Sequence, residues 1–151
     1  MEDCLACDLT SGKLDLPGGI IFSTRYWNVS HCIGPLNVGT LIVAPSRHCL
    51  HVWELTEEET KELGPLLQRV AAVIKALLEP DQVYVCLWSH MGWKPGHIHF
   101  ILQPSWNHLQ NQYSRPGPTL QAEMIKAKVP PPRDKVEAFA AKAKEFFQAF
   151  D

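Results

Sequence analysis

The sequence predicts an α+β fold, with about five strands and one long helix crossing between the third and the fourth. Short runs rich in β-branched and aromatic residues recur at 20–24, 26–31, 40–44, 83–88 and 97–103. Between the third run and the fourth, Leu63, Leu67, Val70, Ile74 and Leu77 repeat at intervals of four, three, four and three. That spacing is one apolar face of a helix. The last two runs are joined by a short connection, so they should pair antiparallel.

Taken in order, the chain starts with Cys4-Leu5-Ala6-Cys7, a C-x-x-C pair. Three readings stay open for it: redox exchange, half of a zinc site, or two unpaired thiols in a short N-terminal turn. Gly18-Gly19 marks the turn before the first strand, and the first two strands meet near Arg25. Residues 34–39 form a loop. The third strand, Thr40 to Ala44, is continuously apolar and is closed by Pro45, so that Ser46-Arg47-His48 lies at its mouth. Thr56-Glu57-Glu58-Glu59 has the capping-box pattern, and its acidic first turn suits the helix dipole. The long helix runs from there to about Glu79-Pro80, with a kink or restart expected at Gly64-Pro65. A loop from Ser89 to Gly96 carries His90, Trp93 and Lys94. Residues 105–133 read as loop-rich, with a short helix over about 119–127. Asp134 is expected to cap a final helix whose apolar side is Val136, Phe139, Ala140, Ala143, Phe146 or Phe147, and Phe150.

Length and composition narrow the classes. The 151 residues are most simply one domain, 1–151, with a core over 4–104 and a loop-rich extension plus final helix over 105–151. A hydrophobic share of 46% and a charged share of 20% are those of a soluble globular protein. A net charge of −2 argues against broad electrostatic capture of nucleic acid or acidic membranes. No apolar run is long enough to span a bilayer, and no signal peptide is evident. Five cysteines at these spacings do not resemble a secreted disulfide scaffold, so a cytoplasmic location is expected.

The most informative stretch is Gly96-His97-Ile98-His99-Phe100-Ile101-Leu102-Gln103-Pro104. As a strand, it turns Ile98, Phe100 and Leu102 to the core and His97, His99 and Gln103 to the other face. Two imidazoles about 6–7 Å apart along one strand can serve two tasks. Pro104 cannot donate to a ladder and should end the strand. Alternation alone also fits an edge strand with two solvated histidines.

The order of these pieces resembles the histidine-triad (HIT) superfamily of nucleotide hydrolases and transferases. The pieces are the N-terminal C-x-x-C, the apolar strand ending in Pro-x-x-His, the capped helix beginning near Leu55-Thr56-Glu57-Glu58-Glu59, and the late His-Ile-His-Phe. The resemblance covers roughly residues 4–104. It implies a small antiparallel sheet with helices packed on it, a homodimer, and a nucleotide or nucleotide-like phosphate ligand. It also implies phosphate ester, anhydride or phosphoramidate chemistry in which His99 attacks the α-phosphate and water opens the covalent histidine–nucleotide intermediate. A neutral imidazole whose other nitrogen is fixed by a backbone carbonyl suits that task. Some members carry a structural zinc, and its ligands match Cys4, Cys7, His48 and His97, a closed Cys₂His₂ set.

The sequence departs from the family pattern where polar groups would face a nucleotide. The third triad histidine is Ile101, the histidine that usually begins the third strand is replaced at Gly39-Thr40, and the ribose-contacting Asp or Asn falls near Cys32. Gln103 could give an amide donor to phosphate, His90 a replacement imidazole and Trp93 a stacking surface. A solvated His90 and a packed loop Trp93 are the plainer alternatives. His31, His51 and His108 read as structural or surface residues. Two functions follow: a HIT-type hydrolase or transferase with His99 as nucleophile, or a zinc-containing nucleotide-binding homologue with little or no turnover. A hydrolase using zinc-bound water fits poorly, since four protein ligands leave no open position.

Overall fold

The computed structural model describes residues 4–91, 93–113 and 115–149. Five strands, β1 (Ile20–Ser23), β2 (Trp27–His31), β3 (Leu41–Pro45), β4 (Gln82–Leu87) and β7 (Phe100–Ser105), form one sheet in the order β1-β2-β3-β7-β4. Every neighbouring pair in it is antiparallel. A two-stranded ribbon, β5 (His90–Met91) with β6 (Lys94–Pro95), occupies the loop between β4 and β7. The helices are α1 (Leu5–Thr10), α2 (Glu57–Leu78), α3 (Asn107–Tyr113), α4 (Pro118–Ala127) and α5 (Arg133–Gln148). None of the described helices is long and apolar enough to cross a membrane.

The strand alternation sorts the sheet into two faces. Trp27, Val29, Leu41, Val43 and Leu102 pack with Leu66, Val70, Val73 and Ile74 of α2 and with Phe139, Ala140, Ala143 and Phe147 of α5. Full burial of each such side chain contributes roughly 1.5–3 kcal/mol, which is what makes the marginal α5 a stable element. On the opposite face Ile101 packs with Leu36, Leu120 and Met124, so α4 covers the β7–β4 end. Between α4 and α1 this second face stays open, and there the cavity described below lies.

The capping box at α2 forms as the sequence reads: Thr56 Oγ1 accepts from the Glu59 N–H at 3.2 Å, and Glu59 Oε2 accepts from the Thr56 N–H at 2.8 Å. Glu59 also takes a forked pair of bonds from Arg47, at 2.7 Å from Nε and 2.9 Å from Nη2. Arg47 and the neighbouring Thr56 hold the Glu59 carboxyl below its ordinary range.

Several local expectations are corrected. The helix runs unbroken through Pro65, which the exposed side of α2 tolerates. Strand β7 begins at Phe100, after both histidines, and continues through Pro104 to Ser105. Pro104 fits because β3 pairs with β7 only as far as Leu102, so no strand needs its missing N–H, while Asn37 Nδ2 donates to its carbonyl at 3.0 Å. Pro132, not Asp134, stands at the N-cap of α5; Asp134 lies inside its first turn. The 105–133 stretch is less loop-rich than expected: besides α4, which forms where a short helix was expected, it holds the further helix α3. Phe150 lies outside the described residues.

Candidate functional site

A side-chain ion pair and a backbone hydrogen bond bring His48 beside His97. Arg47 is locked to the start of α2, which fixes the turn after β3. The Ile98 N–H then donates to the Cys49 carbonyl at 2.9 Å, drawing segment 97–99 alongside segment 47–49. The two imidazole rings stand edge to face with centroids 5.3 Å apart. Helix α1 brings the sulfurs. His97 Nδ1 is 3.5 Å from both Cys4 Sγ and Cys7 Sγ, and His48 Nδ1 is 3.5 Å from Cys7 Sγ. One ligand atom from each of the four residues lies within 4.8 Å of the others.

Bond lengths test the fit of a metal here. With zinc–sulfur bonds of about 2.3 Å and zinc–nitrogen bonds of about 2.0–2.1 Å, a tetrahedron sets sulfur and nitrogen about 3.5 Å apart. The three sulfur–nitrogen separations match that edge. The tautomer agrees as well. His97 Nε2 lies 3.1 Å from the Pro45 carbonyl, which can only accept, so Nε2 carries the hydrogen and Nδ1 turns a lone pair to the sulfurs. A ligating histidine typically donates its second N–H to a backbone carbonyl in this way. Burial holds the His97 imidazole below its ordinary range, which favours the neutral, ligating form. Burial, together with the neighbouring Cys4 thiol, raises Cys7 to about 11. A cation would therefore displace a proton on binding this thiol.

His99 sits next to this cluster. Its Nδ1 lies 3.1 Å from the His97 carbonyl. That carbonyl accepts only, so Nδ1 is the protonated nitrogen and Nε2 keeps the lone pair. His99 lines a cavity of about 300 Å³ between α1 and the open face of the sheet. Leu5, Ala6 and Leu9 of α1 form one wall; Ser30, Ile42 and Ala44 of β2 and β3 form the floor. Ser89, His90 and His99 close the end nearest β7. The cavity is thus lined mostly by apolar groups, with His90 and His99 among its lining residues.

The sequence-chosen residues separate here. Cys4, Cys7, His48 and His97 are brought together, and His99 and His90 share the cavity. Gln103 does not join them. Its side chain is fully buried under α4, where Nε2 donates to Asn37 Oδ1 at 2.7 Å and Oε1 accepts from Gln121 Nε2 at 3.0 Å. The alternation put Gln103 on the correct face of β7, but α4 covers that end of the face. Trp93 lies in the turn of the β5–β6 ribbon, fully exposed and away from the cavity. His31 is spent on the backbone, with Nδ1 donating to the Cys32 carbonyl at 2.7 Å and Nε2 accepting from the Gly39 N–H at 2.9 Å. Ile101 is buried beneath α4, so no polar group stands at the third triad position.

Sequence reasoning missed the α1 wall and Ser89. The Leu5-x-x-x-Leu9 spacing, one helical turn after Cys4, was the available signal for the wall. No local pattern marks Ser89.

No protein-family model matches the chain, and no curated protein sequence matches it. Solved structures do. A hypothetical histidine triad nucleotide-binding protein from Sulfolobus tokodaii superposes with a TM-score of 0.72 at 16% identity, over 97% of this chain and 93% of the other. A zinc-bound histidine triad family protein from Mycobacterium smegmatis gives 0.69 at 18% identity, over 99% and 98%. A Hit-like protein involved in cell-cycle regulation from Bartonella henselae gives 0.73 at 14% identity, over 96% and 96%. The five-stranded antiparallel sheet with its packed helices, matched over nearly the full length of these structures, gives the chain the histidine-triad fold.

Proposed function

We propose that this protein binds a nucleoside phosphate, or a similar phosphate ligand, in the cavity between α1 and the sheet. In this reading the organic part lies along the apolar walls and the phosphate meets His99. The observation that carries the reading is the His99 geometry: the His97 carbonyl holds a hydrogen on Nδ1, so the nucleophilic lone pair of the neutral tautomer falls on Nε2, and the residue lines a ligand-sized cavity. His99 then attacks phosphorus in line, the ester, anhydride or amidate leaving group departs with a proton, and water cleaves the histidine–phosphorus bond. His90, at the same end of the cavity, supplies a second imidazole to the phosphate. Cys4, Cys7, His48 and His97 would hold a structural zinc. Bound there, the ion fixes the N-terminal helix and takes no part in the chemistry, since its four protein ligands fill a tetrahedron. A homodimer is proposed with it. Its support is the family resemblance together with edge strand β4, where Val85 remains 49% exposed.

The test is incubation with adenosine phosphoramidates and dinucleoside polyphosphates, read by intact mass. A nucleotidyl adduct is expected on the parent protein and none on His99→Ala. The buried Ile101 favours a second reading, a binding protein with little or no turnover, because one phosphate-facing imidazole is missing. The absence of any adduct, with His99→Ala binding nucleotide as tightly as the parent, would establish that second reading instead.

A further inference from the structure

We propose that the cavity takes phosphates of apolar organic groups, aryl or alkyl, in preference to ribonucleotides. The proposal rests on the reading that a phosphate ligand meets His99 here, and it narrows what that phosphate is attached to. Leu5, Leu9, Leu16, Ile33, Ile42 and Ala44 all line the cavity of about 300 Å³. Leu5 and Ile33 are each 44% exposed although both are large and apolar, and the two share this one hollow. Single apolar residues scattered over a surface carry no message, but two that line a ligand-sized cavity together with four more offer a seat for hydrocarbon.

The polar side chains of the lining are short. Among the described residues the lining holds no carboxylate, carboxamide, lysine or arginine. A ribose presents two adjacent hydroxyls, and a single carboxylate or carboxamide could accept from both. Nothing of that kind is available here. Thr10 Oγ1 donates to the Ala6 carbonyl at 2.9 Å, and His31 spends both ring nitrogens on the backbone. Cys32 Sγ takes the Gly34 N–H at 3.3 Å, and sulfur is a weak partner. Ser89 Oγ takes the His99 N–H at 3.2 Å, which leaves Ser30 on the floor with one hydroxyl. A diol moved from water onto these walls loses hydrogen bonds that it does not regain. An aryl or alkyl group has none to lose, and it buries its own surface against the walls. The phosphate is common to both ligands, so the walls decide between them.

Calorimetry compares adenosine monophosphate, naphthyl phosphate, geranyl phosphate, naphthol and inorganic phosphate as ligands of the parent protein, Leu9→Ala and Ile33→Ala. Naphthyl or geranyl phosphate should bind roughly tenfold or more tightly than adenosine monophosphate, since a buried hydroxyl left unpaired weakens binding by about that factor. Each wall variant should weaken that apolar phosphate about threefold to tenfold and leave inorganic phosphate as it was. Ile33 is partly exposed, so its truncation leaves the core intact and the comparison does not depend on Leu9 alone. If adenosine monophosphate binds as tightly as both apolar phosphates, or more tightly, the walls do not select hydrocarbon; the proposal is then overturned while the phosphate reading stands. Unchanged affinity for both apolar phosphates in both variants overturns it as well. If no phosphate binds the parent, or naphthol binds as tightly as naphthyl phosphate, the phosphate reading of the cavity falls and this proposal falls with it.

Discussion

If zinc occupies the Cys4–Cys7–His48–His97 cluster as proposed, stripping it should release α1 and open the cavity while leaving the sheet intact. No residue of α1 is buried. Among the described residues, Leu14 and Lys13 bond locally to Asp8, and the polar contacts that reach from positions 4–12 to distant parts of the chain are the sulfur–imidazole contacts of Cys4 and Cys7. Ordering the six residues of α1 costs ~6–12 kcal/mol of backbone entropy, at about 1–2 kcal/mol each. Partial burial of Leu5, Ala6 and Leu9 returns only about 3 kcal/mol in total. A structural zinc contributes an apparent ~10–16 kcal/mol near neutral pH, enough to reverse that deficit. Hydrogen–deuterium exchange reads the outcome directly. After chelation, the Asp8 and Ser11 amides, which donate to the Cys4 and Cys7 carbonyls at 2.9 Å, should lose protection, and those of β3 and β7 should keep it. Ligand affinity should fall in parallel, because α1 is one wall of the cavity. If these amides stay protected once elemental analysis shows the metal gone, the cluster does not hold the helix. A protein that carries no metal as purified would refute the reasoning sooner.

Two further perturbations test other links. Glu59 has a depressed folded-state pKa, so its contribution is complete above the ordinary carboxylate range and is lost as pH falls through the folded value. Glu59→Gln should therefore cost about 1 kcal/mol at neutral pH, the Arg47 partner being half exposed, and should flatten the acid limb of a stability–pH curve. An unchanged acid limb would show that the Arg47–Glu59 pair does not drive it. Gln103→Leu leaves Asn37 Oδ1 without its donor and takes one acceptor from Gln121 Nε2, and should lower stability by about 1–3 kcal/mol in denaturant unfolding, with nucleotide affinity unaltered. A selective loss of nucleotide affinity would instead return Gln103 to the cavity.

Residue periodicity determined a good deal here without help. The face of α2 was legible because Leu63, Leu67, Val70, Ile74 and Leu77 repeat with the helical period, and its start because Thr56 and Glu59 satisfy each other's backbone N–H groups. The antiparallel pairing of β4 with β7 followed from the length of the connection between them. The side of the sheet that His99 and Gln103 share was also legible, since side chains alternate along an extended chain whatever surrounds it.

What covers each part of that side is a long-range matter, and only the tertiary structure decided it. Helix α4, some twenty residues further along the chain, seals Gln103 and Ile101 under Leu120 and Met124, while α1, from the other end, stops short and leaves His99 beside open space. Pro104 shows the same division. Its missing N–H is a property of the residue, but whether that loss ends the strand depends on a neighbour, and β3 has already stopped there. Local spacing fixes which atoms a segment presents; the presence of a helix, a cavity or nothing above them is set by contacts between segments far apart in the chain.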